Sequence, residues 1–238
     1  MRAIRSENSA TAPIAAILAL FLAAAAPADD HAPDTIAARL LACAPCHGAQ
    51  GQGTNNDYFP RLAGKPAGYL FNQLLAFREG RRKYPPMNYL LEYLPDPYLH
   101  AIAEYFAAER PAFPVAEPPS ASKSVLDHGR TLVTEGDAAR AIPACALCHG
   151  PAFTGMEPAI PGLVGLHARY ISAQLGAWRY GTRTAIAPDC MQIVAGHLTE
   201  ADVTAIAAWL SALPPPDDPT PAPNGTLAMP LACGSVLK

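Results

Sequence analysis

The stretch Cys43-Ala-Pro-Cys46-His47-Gly48 occurs twice in this sequence, and its second copy reads Cys145-Ala-Leu-Cys148-His149-Gly150. Each copy is followed, in the same order, by a P-x-L-x-G segment, a Y-x3-Q-L-x2-[FW]-R-x-G-x-R segment and a methionine seven residues before a leucine. These blocks begin at Pro60, Tyr69 and Met87 in the first copy and at Pro161, Tyr170 and Met191 in the second. Matching blocks in a fixed order indicate an internal duplication.

The composition excludes several classes of protein. The 238 residues are 50% hydrophobic and only 16% charged, which excludes a disordered chain. The formal net charge of −3 argues against a partner made of nucleic acid. After the first segment, no apolar run approaches the roughly 20 residues of a membrane span.

Residues 1–28 have the pattern of a signal peptide. Arg2 and Arg5 precede an apolar stretch at 14–26, and a small-x-small site follows at 26–28. We expect cleavage near Ala28 and export to an oxidising compartment. The alternative is an uncleaved N-terminal anchor, for which the apolar stretch is short.

The repeat divides the rest of the chain into two domains, 29–113 and 124–213. A linker rich in proline separates them at 114–123, and a proline-rich tail at 214–238 has no counterpart in the first copy.

Both domains are predicted to be helical, and no alternating run predicts a strand. We expect Asp34 and Asp96 to begin helices as N-caps, with Pro97 at the first helical position of the second. Thr199 and Asp202 resemble a capping box. The fold class is therefore all-α, and each domain is small for a core without a large apolar cofactor.

A C-x-x-C-H motif in an exported chain is typical of covalent haem attachment. Each motif would bind one porphyrin, with its two thiols joined to two vinyl groups. These thiols belong to Cys43 and Cys46 in the first copy and to Cys145 and Cys148 in the second. The adjacent His47 or His149 then supplies an axial nitrogen to iron. The alternatives are disulfides or zinc half-sites, but no further zinc ligands occur at equivalent positions. We expect two covalent haem c groups.

Two methionines at equivalent positions are the candidate sixth ligands. Met87 lies 40 residues after His47, and Met191 lies 42 residues after His149. A thioether ligand raises the reduction potential relative to a second histidine. Ligation by two histidines is the alternative, although the remaining histidines have no repeat partners: His31, His100, His128, His167 and His197.

Other residues of the repeat are candidates for the haem pocket. The aromatic pairs are predicted to line the pocket or the core: Tyr69 with Tyr170, and Phe77 with Trp178. The basic group Arg78, Arg81, Arg82 and Lys83 is either a solvated surface or a set of charges that balances haem carboxylates or meets an acidic partner.

Over residues 33–213 the sequence resembles the cytochrome c4 family of dihaem class I cytochromes c. The resemblance rests on both C-x-x-C-H-G motifs, the repeated segments and the two methionines. It implies two tandem all-α cytochrome c domains, each around one haem, with axial pairs His47/Met87 and His149/Met191. In class I cytochromes c a proline carbonyl accepts the N–H of the axial histidine, and we assign this role to Pro60 and Pro161.

The resemblance also implies periplasmic electron transfer. The expected partners are redox proteins such as a quinol-oxidising complex, a dehydrogenase or a terminal oxidase, and these would also mediate any contact with a membrane. The chain is therefore expected to be an electron carrier and not an enzyme. The alternatives are a cytochrome subunit of a periplasmic dehydrogenase, or an enzyme that acts at one haem.

Cys190 and Cys233 belong to no haem motif. An oxidising compartment favours a disulfide between them, which would hold the tail beside the second haem. The alternative is ligation of iron by the Cys190 thiolate, as in dihaem thiosulfate dehydrogenases.

Overall fold

The computed structural model describes residues 34–114, 116, 118 and 121–236. The predicted signal peptide and His31 lie outside these residues. Residues Thr35–Lys238 form one compact unit. None of the helices in the described ranges is long and apolar enough to cross a bilayer.

The first copy is helical, as predicted. Its elements are α1 (Ile36–Arg39), a 3-10 turn (Leu40–Ala42), α2 (Ala44–His47), α3 (Ala67–Arg78), α4 (Pro85–Leu91) and α5 (Asp96–Ala108). Two predicted caps are wrong by one residue. Thr35 caps α1 in place of Asp34, accepting a hydrogen bond from the Ala38 N–H, and α5 starts at Asp96 with Pro95 as its N-cap.

The second copy repeats this order. Its elements are α6 (Lys123–Thr134), a 3-10 turn (Ala138–Arg140), α7 (Ala146–His149), α8 (Ala168–Arg179), α9 (Cys190–Gly196) and α10 (Glu200–Ser211). The capping box of Thr199 and Asp202 is confirmed at the start of α10. The structure adds a two-residue antiparallel pair, β1 (Gly155–Met156) and β2 (Ile160–Pro161), which is too short to give an alternating pattern.

Each copy has its own hydrophobic cluster, and the helices of both copies confirm the predicted all-α class. The first and last helices differ between the copies. In the second copy α6 crosses α10 at Gly129, where a Cβ atom would overlap the carbonyl oxygen of Ala205. In the first copy, the four-residue α1 takes the place of α6 and packs on α5, which also packs against α3.

The end of the first domain, just before the linker, is fixed by a buried arginine. Arg61 donates hydrogen bonds to the carbonyls of Pro111 and Ala112, at 2.7 and 3.0 Å, and its guanidinium stacks 4.0 Å from the centroid of the Phe113 ring. Phe113 packs against the second hydrophobic cluster. The chain therefore leaves the first domain on a defined path toward the second.

The tail lies on the second domain. Ala222 exchanges backbone hydrogen bonds of 2.9 Å with Gly155 and Glu157 beside the short sheet. The Asn72 side chain of α3 also donates to the carbonyl of Ser235 near the tail's end. The predicted Cys190–Cys233 disulfide is confirmed, with Cα atoms 5.1 Å apart. It ties the tail to the first residue of α9, next to Met191.

Candidate haem-binding sites

Both C-x-x-C-H motifs form a single helical turn. The backbone N–H of His47 bonds to the carbonyl of Cys43 at 3.0 Å, and the equivalent bond from His149 to Cys145 is 2.9 Å. Residues three and four apart share one face of a helix, so each turn places two thiols and one imidazole on the same side. This is the arrangement that capture of a porphyrin edge requires.

The four motif cysteines are free and half-buried. Burial raises the pKa of the thiols of Cys43 and Cys148 and raises that of Cys145 to about 12, so these groups stay protonated. In the described ranges, no group of three or more cysteine, histidine or acidic side chains could hold a metal ion. Both the disulfide and the zinc alternatives are therefore unsupported.

The two motif histidines are buried and oriented by main-chain carbonyls. The Nδ1 of His47 lies 3.0 Å from the carbonyl oxygen of Pro60, and that of His149 lies 2.8 Å from Pro161. A carbonyl can only accept, so Nδ1 carries the proton and Nε2 keeps its lone pair for a metal. Burial lowers the pKa of both imidazoles, which keeps them neutral as ligands. The expectation for the two prolines is confirmed.

The two candidate methionines occupy equivalent helices. Met87 lies on α4 and packs against the first hydrophobic cluster, while Met191 lies on α9 and packs against the second. Both are partly buried. Their position agrees with the predicted ligation, which remains a prediction.

A pair of buried arginines joins the two domains. Arg82 and Arg183 form a backbone bridge with each other, and their residues are only 8% and 3% exposed. Arg82 donates to Gln73 of its own domain at 3.1 Å, and across the boundary to Tyr170 at 2.8 Å and Gln174 at 2.7 Å.

Arg183 mirrors these contacts. It donates to Gln174 of its own domain at 2.8 Å, and across the boundary to Gln73 at 2.7 Å and Tyr69 at 3.4 Å. Equivalent residues of the two copies thus make matching contacts across the domain boundary, and Tyr69 and Tyr170 accept hydrogen bonds from the arginine of the other domain. The prediction that these tyrosines line the pocket or the core did not include this contact, although identical residues at equivalent positions could have indicated it.

The arginine pair carries two positive charges with no carboxylate partner in the described part of the chain. Buried charges are usually paired, so the site fits anionic groups such as haem carboxylates. The buried Trp178 Nε1 has no hydrogen-bond acceptor among the described residues, and the Arg183 guanidinium carbon lies 3.7 Å from the centroid of the Trp178 ring. These residues fit a haem in the second domain.

The members of the predicted basic group therefore have different environments. Arg82 is the buried member, whereas Arg78 pairs with Asp96, Arg81 pairs with Glu79, and Lys83 is exposed. Two of the histidines without repeat partners bond elsewhere in the protein: the Nε2 of His128 lies 2.8 Å from the Asp202 carboxylate, and that of His167 lies 3.1 Å from the Thr54 carbonyl.

The chain is similar to known electron-transfer proteins. A family model described as Cytochrome c matches it twice, over residues 35–98 and 127–214. The chain is 36% identical over 201 residues to the thiosulfate dehydrogenase electron acceptor of Thiomonas intermedia, and the alignment covers 84% of this chain and 89% of that protein.

Two solved structures share the fold. The reduced recombinant cytochrome c4 from Pseudomonas stutzeri superposes with a TM-score of 0.66 at 30% identity, covering 75% of this chain and 96% of that one. The as-isolated thiosulfate dehydrogenase from Marichromatium purpuratum also gives a TM-score of 0.66, at 37% identity, and covers 72% of this chain but 36% of that one.

Proposed function

Because this chain belongs to the cytochrome c4 family of dihaem cytochromes c, we propose that it is the periplasmic electron acceptor of a thiosulfate dehydrogenase. It is an electron-transfer cytochrome with two covalently bound haem c groups, attached through Cys43 and Cys46 and through Cys145 and Cys148. The observation that carries this function is the repeated centre, in which a carbonyl orients a neutral histidine beside two thiols.

The proposed axial pairs are His47 with Met87 and His149 with Met191. When bound, the haems supply one-electron exchange between ferric and ferrous iron. The protein holds each imidazole in one tautomer and keeps it from rotating through the Pro60 or Pro161 carbonyl. Met87 and Met191 would supply the second protein ligand to each iron, and a centre with two protein ligands suits a carrier better than an enzyme.

The resemblance to the acceptor from Thiomonas intermedia supports the donor class. Joining two thiosulfate ions into one tetrathionate ion forms one S–S bond and releases two electrons. A chain with two one-electron centres could hold both electrons, so one oxidised chain would take up the two electrons released in one turnover. We place this step in the periplasm because residues 1–28 have the pattern of a signal peptide. The electrons then pass to a further redox protein, such as a terminal oxidase.

The alternative, in which the Cys190 thiolate binds iron as in dihaem thiosulfate dehydrogenases, has less support because the Cys190 sulfur is bonded to Cys233. A second candidate function is a cytochrome subunit held permanently by a dehydrogenase. It is favoured by the likeness to the Marichromatium purpuratum thiosulfate dehydrogenase, since this chain covers 36% of that chain.

Reduction by thiosulfate with and without a purified thiosulfate dehydrogenase tests the proposal. We expect the reduced haem spectrum to appear only when the dehydrogenase is present, at two electrons per chain. Reduction by thiosulfate alone, with tetrathionate formed, would instead identify the chain as the enzyme. If an active thiosulfate dehydrogenase does not reduce the chain, this enzyme is not its electron donor.

A one-haem variant serves as the matched control. Cys145→Ala with Cys148→Ala should leave the first haem attached, and denaturing gels should retain half of the haem stain. The electrons accepted per chain should then fall from two to one. Unchanged uptake would show that the second centre takes no part.

A further inference from the structure

Lys65 of the first domain is buried against the second domain. It follows the first P-x-L-x-G segment and is only 8% exposed. Its Nζ donates a hydrogen bond of 2.7 Å to the carbonyl of Gly162. The equivalent residue of the second copy is Leu166, which is also buried, so the repeat places a cation in one copy where the other has an aliphatic side chain.

The ammonium group has no carboxylate partner in the described ranges. The titratable groups that face it are Arg61 from the first domain, and Tyr170 on α8 and His149 on α7 from the second. Burial lowers the pKa of Lys65 to about 8, with a further lowering by Arg61 opposed by Tyr170. The group therefore remains positively charged at neutral pH.

The charge lies next to one iron centre. Gly162 directly follows Pro161, whose carbonyl accepts the Nδ1–H of His149. Buried charges are poorly screened by solvent. A positive charge here opposes the additional charge of ferric iron and favours the ferrous state.

We propose that Lys65 raises the reduction potential of the second haem from across the domain boundary, so that electrons collect on the second centre. This inference rests on the proposed function only in that His149 binds iron. It gives an otherwise repeated molecule a direction, since the second centre faces Lys65 of the other domain, whereas the equivalent residue of the second copy is the uncharged Leu166.

The test is a spectroelectrochemical titration of three variants of the two-haem protein. Lys65→Gln retains an N–H donor for Gly162 without the charge, Lys65→Leu reproduces the residue of the second copy, and Lys65→Arg keeps the charge. Lys123→Gln removes the same charge from α6, where the side chain is 87% exposed.

We expect Lys65→Gln and Lys65→Leu to shift the oxidised-to-reduced ratio of the second haem about tenfold toward oxidised at a fixed applied potential. This corresponds to a fall of about 59 mV for a one-electron couple. Lys65→Arg and Lys123→Gln should titrate like the wild type. The haem whose potential changes is identified in a Met87→His background, where the first haem should titrate separately at a lower potential.

An unchanged second potential in a folded variant that retains both haems would overturn the inference. Equal shifts of both haems would overturn it as well, because the proposed effect is local. Neither result affects the proposed function, which fails instead if the wild type lacks two covalent haems or rejects electrons from the dehydrogenase.

Discussion

At the scale of single residues, a buried imidazole bonded to a proline carbonyl is the feature that both centres share. His47 and His149 are 8% and 7% exposed, and the Nδ1 of each is hydrogen-bonded to a main-chain carbonyl. The identity of the second protein ligand would tune the reduction potential of each haem, because a thioether and an imidazole differ in how well they stabilise ferric iron.

Replacement of the proposed methionine ligand should therefore act on one haem. We expect Met87→His to lower the potential of the first haem and leave that of the second nearly unchanged. The oxidised wild type should show the weak near-infrared sulfur-to-iron charge-transfer band at an intensity for two haems. Half of that intensity should remain in Met87→His, and its absence from the wild type would reject methionine ligation.

Asp202 predicts a pH dependence of stability in the second domain. Burial alone would raise the pKa of Asp202, but hydrogen bonds from Arg140, Thr199 and His128 outweigh burial and hold it below its usual range. A carboxyl with a depressed pKa in the folded state stabilises the fold above its unfolded pKa of about 3.9, and this contribution is lost as the pH falls.

We expect Asp202→Asn to lower the free energy of unfolding by about 1.5–3 kcal/mol at pH 7. The difference from the wild type should shrink at pH 3, and denaturant unfolding at both pH values measures it. Asp218→Asn is the matched control on the exposed tail and should change little. An equal difference at both pH values would contradict the assignment.

At the scale of elements, the crossing of α6 and α10 depends on the missing side chain at Gly129. Because the obstacle is the Ala205 backbone, an added methyl group must push the helices apart. We expect Gly129→Ala to destabilise the protein by about 1–3 kcal/mol in thermal unfolding. Gly176→Ala on α8 meets nothing within 4 Å and should instead stabilise by about 0.5–1 kcal/mol. Equal effects would exclude helix packing as the cause.

The disulfide should protect the second haem site. It closes a loop with a sequence separation of 43, for which chain entropy gives a stabilisation on the order of 4 kcal/mol. Because Cys190 precedes Met191, reduction should loosen the ligand helix α9. We expect reduction of the bridge to let carbon monoxide bind the second haem while the first stays closed.

Cys190→Ala with Cys233→Ala should behave in the same way without a reductant. Alkylation followed by intact-mass measurement under denaturing, non-reducing conditions checks the bridge itself. Two alkylations of the unreduced protein would show that the bridge is absent in solution.

At the scale of the whole molecule, Arg82 and Arg183 hold the two domains together. Their side chains bond to both copies, so removal of both should uncouple the domains. We expect Arg82→Gln with Arg183→Gln to split thermal unfolding into two calorimetric transitions and to speed proteolysis within 114–123. Arg130→Gln, whose side chain is 52% exposed, is the control. A single unchanged transition in the double variant would exclude this role.

The sequence predicts the features that depend on repeated or local patterns. Both histidine centres, the proline acceptors, the Thr199 capping box and the Cys190–Cys233 pairing follow from spacing, family resemblance or residue counts. Features that arise where two copies meet do not. Arg82 is buried while its basic neighbours are not, and Lys65 reaches Gly162. Both features depend on docking between segments about a hundred residues apart.

The position of the disulfide in the chain has a consequence for maturation. Four cysteines must remain reduced until haem arrives, because only thiols add to vinyl groups, whereas Cys190 and Cys233 must be oxidised. Cys233 is the last of the six cysteines. In a chain exported from its N-terminus, both haem motifs emerge before this bridge can form. Export in this order would give the haem-attachment machinery first access to its thiols, and the bridge could lock the second domain only after Cys233 has emerged.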